Sequence, residues 1–151
     1  MPRPAKKLTG PVTLGKVLAV KMLIFLFIAS AFASVSLCKD KRYLFDINSV
    51  SLHPSDKVVP GQIVTLNVNY TTPALITEGT SKTTIRYHGF PLPPYTDSIC
   101  NMARCPIQPG THTFTYNLQY PYALPGRTKT NIIWYDSNAT TFICLTISLT
   151  T

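Results

Sequence analysis

Residues 97–126 read DSICNMARCPIQPGTHTFTYNLQYPYALPG and carry the clearest secondary-structure signal in the chain. Cys100 and Cys105 enclose a short loop, and Pro109-Gly110 then leads into a segment of strict alternation. Threonine, asparagine and glutamine occupy one face of that segment, and the other face carries His112, Phe114, Tyr116, Leu118 and Tyr120. This alternation, in which every second residue is polar, predicts a half-buried β-strand that ends at the turn Pro125-Gly126.

Similar alternation recurs on both sides of this segment. We predict further strands at 45–52, with a bulge near Asn48-Ser49, and at 64–70, 84–87, 128–135 and 141–149, while Pro73 begins another segment. Residues 90–95 are rich in proline, which lacks the N–H that a strand ladder needs, so they should form an extended loop or edge. No segment has a convincing helical period, and short strands separated by turns predict an antiparallel β-sandwich.

The N-terminus has the composition of a secretory signal peptide. Five basic residues precede the uncharged run 22–35, and Ala31-Phe32-Ala33 forms an A-x-A cleavage motif. The alternative is a signal-anchor helix, but the run is shorter than the ~20 residues that span a bilayer. We therefore predict a signal peptide at 1–33 and a single domain at 34–151.

The charge balance excludes nucleic acid as an expected partner. The whole chain has a net charge of +8, but five of its fourteen Lys and Arg residues lie within 1–33. Residues 34–151 then have nine basic and six acidic side chains, a net charge of +3. This ordinary balance lacks the strong basic character of nucleic-acid-binding domains.

All four cysteines follow the predicted cleavage site. An even number in an exported protein predicts two disulfides, for which three connectivities exist, and Cys100–Cys105 is the natural local pair. Zinc is the rival interpretation. It is disfavoured because the C-x4-C spacing lacks a second close pair, so we expect no metal site.

No constellation of residues points to catalysis. His53, His88 and His112 are scattered, and the chain has no nucleophile motif, paired carboxylates or glycine-rich phosphate loop. We therefore expect neither enzymatic activity nor a cofactor. The sequons at Asn69 and Asn138 predict two glycosylation sites.

An ordered set of motifs resembles the ML lipid-recognition family. The set comprises Cys38, S-V-S-L-H-P (49–54), P-G-Q (60–62), I-T-E-G (76–79), Tyr87-His88-Gly89, D-S-I-C with C-P-I-Q-P-G (97–110), L-P-G-R-T-K (124–129) and I-C-L-T-I (143–147). The chain is most similar to the phosphatidylglycerol/phosphatidylinositol transfer protein branch. The Niemann–Pick lysosomal cholesterol carrier and the group 2 mite allergens belong to the same family.

The resemblance implies an immunoglobulin-like antiparallel β-sandwich of two sheets with an apolar cavity between them. It also implies the disulfides Cys38–Cys144 and Cys100–Cys105. Many animal members have a third cysteine pair after the first strand, whereas residues 53–60 contain no cysteine here. That difference favours a phospholipid over a sterol as the ligand.

The resemblance also assigns candidate lipid-binding residues. The cavity mouth should involve Phe90, Leu92, Tyr95, Tyr120, Tyr122, Leu124 and Pro125. The interior should involve Phe114, Tyr116, Leu118 and Trp134. The alternative for each of these is ordinary core packing, and for Phe114 and Leu118 the two interpretations are evenly balanced.

Two functions of different classes fit this sequence. The first is a soluble, monomeric carrier that encloses one lipid, contacts membranes transiently and delivers the lipid to a membrane or a protein acceptor. The second is a secreted immunoglobulin-like recognition or adhesion module with a filled core and a protein partner. Both are expected in the secretory pathway, either secreted or in the lumen of a lysosome or vacuole.

Overall fold

The structure is a computed structural model that describes residues 32–39, 42–55, 58–59, 61–119 and 126–150. Within these ranges the chain forms a short 3₁₀ helix, Ile99–Asn101, and the strands β1 (Phe32–Leu37), β2 (Asp46–His53), β3 (Ile63–Thr72), β4 (Thr80–Tyr87), β5 (Phe90–Pro91), β6 (Tyr95–Ser98), β7 (Gly110–Gln119), β8 (Arg127–Tyr135) and β9 (Thr141–Thr150). No helix in the described ranges has both the length and the apolar character needed to cross a bilayer.

The strands form two antiparallel sheets. The large sheet has the order β1-β9-β8-β4-β5, with β6 also pairing with β4, and the small sheet has the order β2-β3-β7. The inner faces of the two sheets supply one continuous apolar core, in which Leu66, Ile132 and Leu145 are among the fully buried side chains. The predicted all-β sandwich is therefore confirmed.

The small sheet follows the sequence pattern closely. In β7, Phe114 and Leu118 are buried and Tyr116 is half-buried, whereas the intervening threonine and asparagine side chains are exposed. The predicted bulge in β2 is present, because the register with β3 shifts between Ile47 and Ser49. On the outer face, amide and hydroxyl groups of neighbouring strands bond to one another, as Thr115 does to Asn67 at 2.8 Å.

The first strand of the large sheet was not predicted. β1 pairs with β9 from Phe32 to Leu37, and Ala33 and Val35 pack against the core. Its apolar residues continue the uncharged run 22–35, so the sequence offered no sign of where a strand would begin. The signal peptide lies mostly outside the described residues, and its boundary at residue 33 remains a prediction.

One long side of the sandwich is closed by backbone bonds. β1 lies beside β2, and the segment before β2 bonds to the large sheet through Leu44 N–H to Thr141 O and Phe45 N–H to Phe142 O. The other long side lies between β6 of the large sheet and β7 of the small sheet. Among the described residues, β6 and β7 do not pair with each other.

The Pro-rich segment forms an edge, as predicted. β4 turns into β5 through His88 and Gly89, which both have positive φ, the signature of a tight type I′ hairpin. Only two residues of β5 pair with β4, and the chain then continues into β6. The segment beginning at Pro73 forms less structure than predicted, a single bridge between Ile76 and Ile107.

Both predicted disulfides are present. Cys38 bonds to Cys144 across a sequence separation of 106 residues, and Cys100 bonds to Cys105 across 5 residues. The first disulfide ties the end of β1 to the centre of β9 beside a backbone bond from Cys38 N–H to Cys144 O. The described residues contain no group of three or more His, Cys, Asp or Glu side chains that could hold a metal ion.

Candidate functional site

The two sheets meet at the β6–β7 side through a pair of tyrosines. Tyr95 pairs with Thr83 in the large sheet, Tyr116 lies on the inner face of β7, and their hydroxyl oxygens are 2.7 Å apart. Burial raises the pKa of Tyr116, and its hydrogen bond to Tyr95 and the negative charge of Asp97 raise it further. The phenol of Tyr116 therefore stays uncharged at physiological pH, and the two side chains of this tyrosine bridge can separate by breaking one hydrogen bond.

The interior beside the tyrosine bridge holds an aromatic cluster of Phe45, Tyr70, Phe114, Trp134 and Phe142. Phe114 stacks on Trp134 with ring centroids 4.5 Å apart, and Phe45 stacks on Tyr70 at 4.8 Å. Tyr70 meets both Phe114 and Trp134 edge-on. These contacts, typical of packed aromatic pairs, join the two sheets at the end of the sandwich where β8 ends.

The four predicted interior residues are thus brought together on the inner faces. Phe114 and Leu118 are buried, Trp134 has no exposed surface, and Tyr116 is half-buried at the tyrosine bridge. Phe114 and Trp134 stack on each other, so in this structure both belong to the packed core. A lipid-contacting role for these residues remains a prediction.

The predicted mouth residues do not form one group in the described part of the chain. Phe90 is 73% exposed at the β4–β5 hairpin, whereas Tyr95 faces Tyr116. Leu92 lines a groove of about 510 Å³ against Thr84, Arg86, Lys129 and Asn131, which lie on the outer face of the large sheet. Tyr120, Tyr122, Leu124 and Pro125 lie outside the described residues.

A second groove on this outer face is strongly basic. It has a volume of about 320 Å³ and is lined by Arg86, Arg127 and Lys129, and none of its described lining residues is acidic. Arg86 and Lys129 are direct cross-strand partners, an arrangement of like charges that destabilises a sheet. The described acidic residues lie toward the opposite end of the sandwich, at Asp46, Glu78, Asp97 and Asp136.

The inner face of the large sheet has a polar patch that the sequence analysis did not single out. Ser81 and Thr83 of β4 and Thr130 of β8 are each at most 2% exposed. A period-two count could have found them, because Ser81 and Thr83 are in phase with Ile85, and Thr130 is in phase with Ile132 and Trp134. The inward face of a strand is identified from its apolar residues, so small polar residues on that face are missed.

The loop held by the Cys100–Cys105 disulfide lies beside the first half of β7. A groove of about 640 Å³ runs between this loop and the strand, lined in part by Met102, Ile107 and His112. The His112 ring is held by a contact of 2.6 Å between its Nε2 and the Gln108 carbonyl oxygen. His112 is thus a positioned strand residue, as expected from its place in the alternation.

The sequence profile of the ML domain matches residues 33–151, a range that includes every described residue except Phe32. The chain belongs to the ML domain family. No curated protein sequence matches it.

Two solved structures share the fold of this ML domain. Chicken MD-1 complexed with lipid IVa has a TM-score of 0.55 and 12% sequence identity, covering 80% of this chain and 90% of its own. A Niemann-Pick type C2 protein from the Japanese carpenter ant has a TM-score of 0.58 and 10% identity, covering 75% of this chain and 96% of its own. At these identities the likeness establishes the fold alone.

The two sequons of the ML domain lie in different surroundings. Asn138 is exposed in the turn between β8 and β9. Asn69 lies on the outer face of the small sheet, where its Nδ2 donates to Thr113 and its Oδ1 accepts from Asn48. A glycan is attached through Nδ2, so on Asn69 it would compete with the bond to Thr113, and Asn138 is the more accessible of the two predicted sites.

Proposed function

We propose that this ML domain is a lipid carrier that encloses one lipid between its two sheets and delivers it to membranes. The observation that carries the proposal is family membership over residues 33–151. The fold relative MD-1 was crystallised with a lipid, which supports the same class of ligand here. No catalytic chemistry is part of the proposal.

The β6–β7 side is the proposed entrance for the lipid. The opposite side is closed by backbone hydrogen bonds, whereas Tyr95 and Tyr116 meet here through their hydroxyl groups. One neutral hydrogen bond contributes only about 0.5–1.5 kcal/mol. The burial of each lipid methylene gains about 0.8 kcal/mol, so a single acyl chain would readily offset the opening of this bridge.

The membrane-facing surface is proposed to be the end that carries Phe90 and the basic groove. Phe90 is exposed at the hairpin tip, and Arg86, Arg127 and Lys129 lie beside it. An apolar residue flanked by basic residues fits an anionic bilayer, where each Lys or Arg near the surface contributes about 1 kcal/mol. Repulsion between Arg86 and Lys129 would also be relieved by an anionic surface.

Reversing the charge of Arg86 and Lys129 tests this docking surface. We expect R86E/K129E to lower the rate of fluorescent phosphatidylglycerol transfer between vesicles by about tenfold or more, because two favourable surface charges become unfavourable. Lys82→Glu is the matched control, since Lys82 is also exposed on the outer face of β4 but lies nearer its beginning. Equal losses in both variants would contradict docking by this end.

The bound lipid itself is the direct test of the carrier function. Purified, folded protein should yield about one lipid molecule per chain on extraction with organic solvent and mass spectrometry. We propose a phospholipid rather than a sterol, because residues 53–60 lack the cysteine pair found in many animal members. A folded sample without any lipid, which also fails to take up phosphatidylglycerol or phosphatidylinositol, would contradict the proposal.

The aromatic cluster favours the second candidate function, a recognition module with a filled core. Phe114, Trp134 and Tyr70 are buried and pack against one another between the sheets at one end. For such a module, the exposed Phe90 and Leu92 would contact a protein partner instead of a bilayer. The extraction experiment separates the two functions.

Either function is proposed for a protein of the secretory pathway, which the two disulfides support.

A further inference from the structure

Three buried polar atoms of the large sheet have no hydrogen-bond partner among the described residues. They are Ser81 Oγ, Thr83 Oγ1 and Trp134 Nε1. All three residues are at most 1% exposed. Buried polar groups in native proteins nearly always have a partner, so a cluster of exceptions calls for a missing partner.

The three atoms belong to one continuous patch, which we call the polar wall. Ser81 and Trp134 are direct cross-strand partners in the β4–β8 register, and Thr83 is two residues further along β4. Residues two apart in a strand share a face, so all three side chains point toward the small sheet. The apolar neighbours Ile132 and Phe114 surround this wall.

The polar wall lies behind the proposed entrance. β6 pairs with β4 at these positions, with Asp97 opposite Ser81 and Tyr95 opposite Thr83. Tyr95 is one half of the tyrosine bridge to Tyr116. A molecule that enters between β6 and β7 would therefore meet the polar wall directly after the bridge opens.

The chemistry of the polar wall defines what it would bind. The indole N–H of Trp134 only donates, whereas the hydroxyl groups of Ser81 and Thr83 both donate and accept. An oxygen atom that accepts hydrogen bonds is the common partner of all three groups, and in a lipid such an oxygen belongs to a hydroxyl, ester or carboxyl group. A plain hydrocarbon chain would leave the three groups unpaired.

We propose that Ser81, Thr83 and Trp134 form an internal anchor for an oxygen atom of the bound lipid. This inference rests on the proposed carrier function and adds a ligand class to it. The lipid is one whose enclosed part carries an acceptor oxygen, and that oxygen is seated against the polar wall. The apolar remainder of the enclosed part lies among the surrounding aliphatic and aromatic side chains.

A series of three C18 probes tests the ligand class. Oleyl alcohol, methyl oleate and 1-octadecene, each delivered from cyclodextrin, have similar chains, but only the first two carry an oxygen. We expect the delipidated protein to bind oleyl alcohol and methyl oleate at least about tenfold more tightly than 1-octadecene, measured by Trp134 emission. Equal affinity for all three would overturn the anchor while leaving the carrier function intact. Binding of none would count against the carrier function itself.

A pair of variants tests the residues. S81A/T83V removes two unpaired hydroxyl groups, so the lipid-free protein should melt at a higher temperature while its affinity for oleyl alcohol falls about tenfold. Thr72→Val is the matched control, because Thr72 is equally buried but its Oγ1 donates to the Ala74 carbonyl oxygen at 2.9 Å. That control should melt at a lower temperature and bind oleyl alcohol within about twofold of the unmodified protein.

The opposite signs of the two effects distinguish an anchor from a structural role. If S81A/T83V melts at a lower temperature and keeps the affinity for oleyl alcohol, the two hydroxyl groups serve the fold through internal water, and the anchor is overturned. If the variant gains stability and loses the discrimination against 1-octadecene, the anchor is supported.

Discussion

Replacing Cys38 and Cys144 with alanine should lower the free energy of unfolding by about 4–5 kcal/mol. The disulfide joins residues separated by 106 positions, so it restricts nearly the whole unfolded domain. Single domains are stable by only about 5–15 kcal/mol, so the variant should be close to unfolding at physiological temperature. Guanidinium denaturation followed by the emission of Trp134 measures the loss.

The second disulfide provides the control for this prediction. Cys100→Ala/Cys105→Ala opens a loop of only 5 residues, and the same chain-entropy model gives a loss of about 2 kcal/mol. The decisive quantity is the difference between the two variants in the loss of unfolding free energy. Equal losses would mean that the disulfides act on the native structure rather than on the unfolded chain.

Replacing Phe114 with alanine should lower the free energy of unfolding by about 3–5 kcal/mol. Phe114 is only 4% exposed and contacts both Trp134 and Tyr70, so its removal leaves a cavity in the aromatic cluster. Thermal unfolding of the lipid-free protein measures this loss. The prediction treats Phe114 as core, although the sequence suggested a lipid contact equally well.

Phe90→Ala is the matched variant on the surface. Phe90 is 73% exposed, so we expect a change of less than about 0.5 kcal/mol in stability, together with weaker binding to anionic vesicles. If Phe114→Ala leaves the melting temperature unchanged but abolishes lipid uptake, then Phe114 lines the lipid space and the prediction of a packed core is wrong.

The candidate site could be predicted from the sequence only in part. The alternation of β7 placed Phe114, Tyr116 and Leu118 on one inward face, and the structure brings them there. Phe90, Leu92 and Tyr95 were expected together at one mouth, yet Leu92 lies over the outer face of the large sheet and Tyr95 faces Tyr116. The short hairpin and edge strands of this segment separate residues that are close in sequence.

The sequence by itself determined most of the strands and the faces of their side chains, although it did not indicate β1. Both follow from short-range pattern, because successive side chains of a strand point to opposite faces. The Cys100–Cys105 pair is local in the same way, whereas the Cys38–Cys144 pair was implied by the family resemblance. The bulge in β2 and the exposed edge at the Pro-rich segment are local in the same sense.

Only the tertiary structure decided which distant residues become neighbours. The pairing of β4 with β8 places Ser81 against Trp134 and Arg86 against Lys129, and the meeting of β6 with β7 joins Tyr95 to Tyr116. Such partners are set by sheet order and by the register of strands far apart in the chain. A shift of one residue would turn every inward side chain outward, so the polar wall and the basic groove exist only in this register.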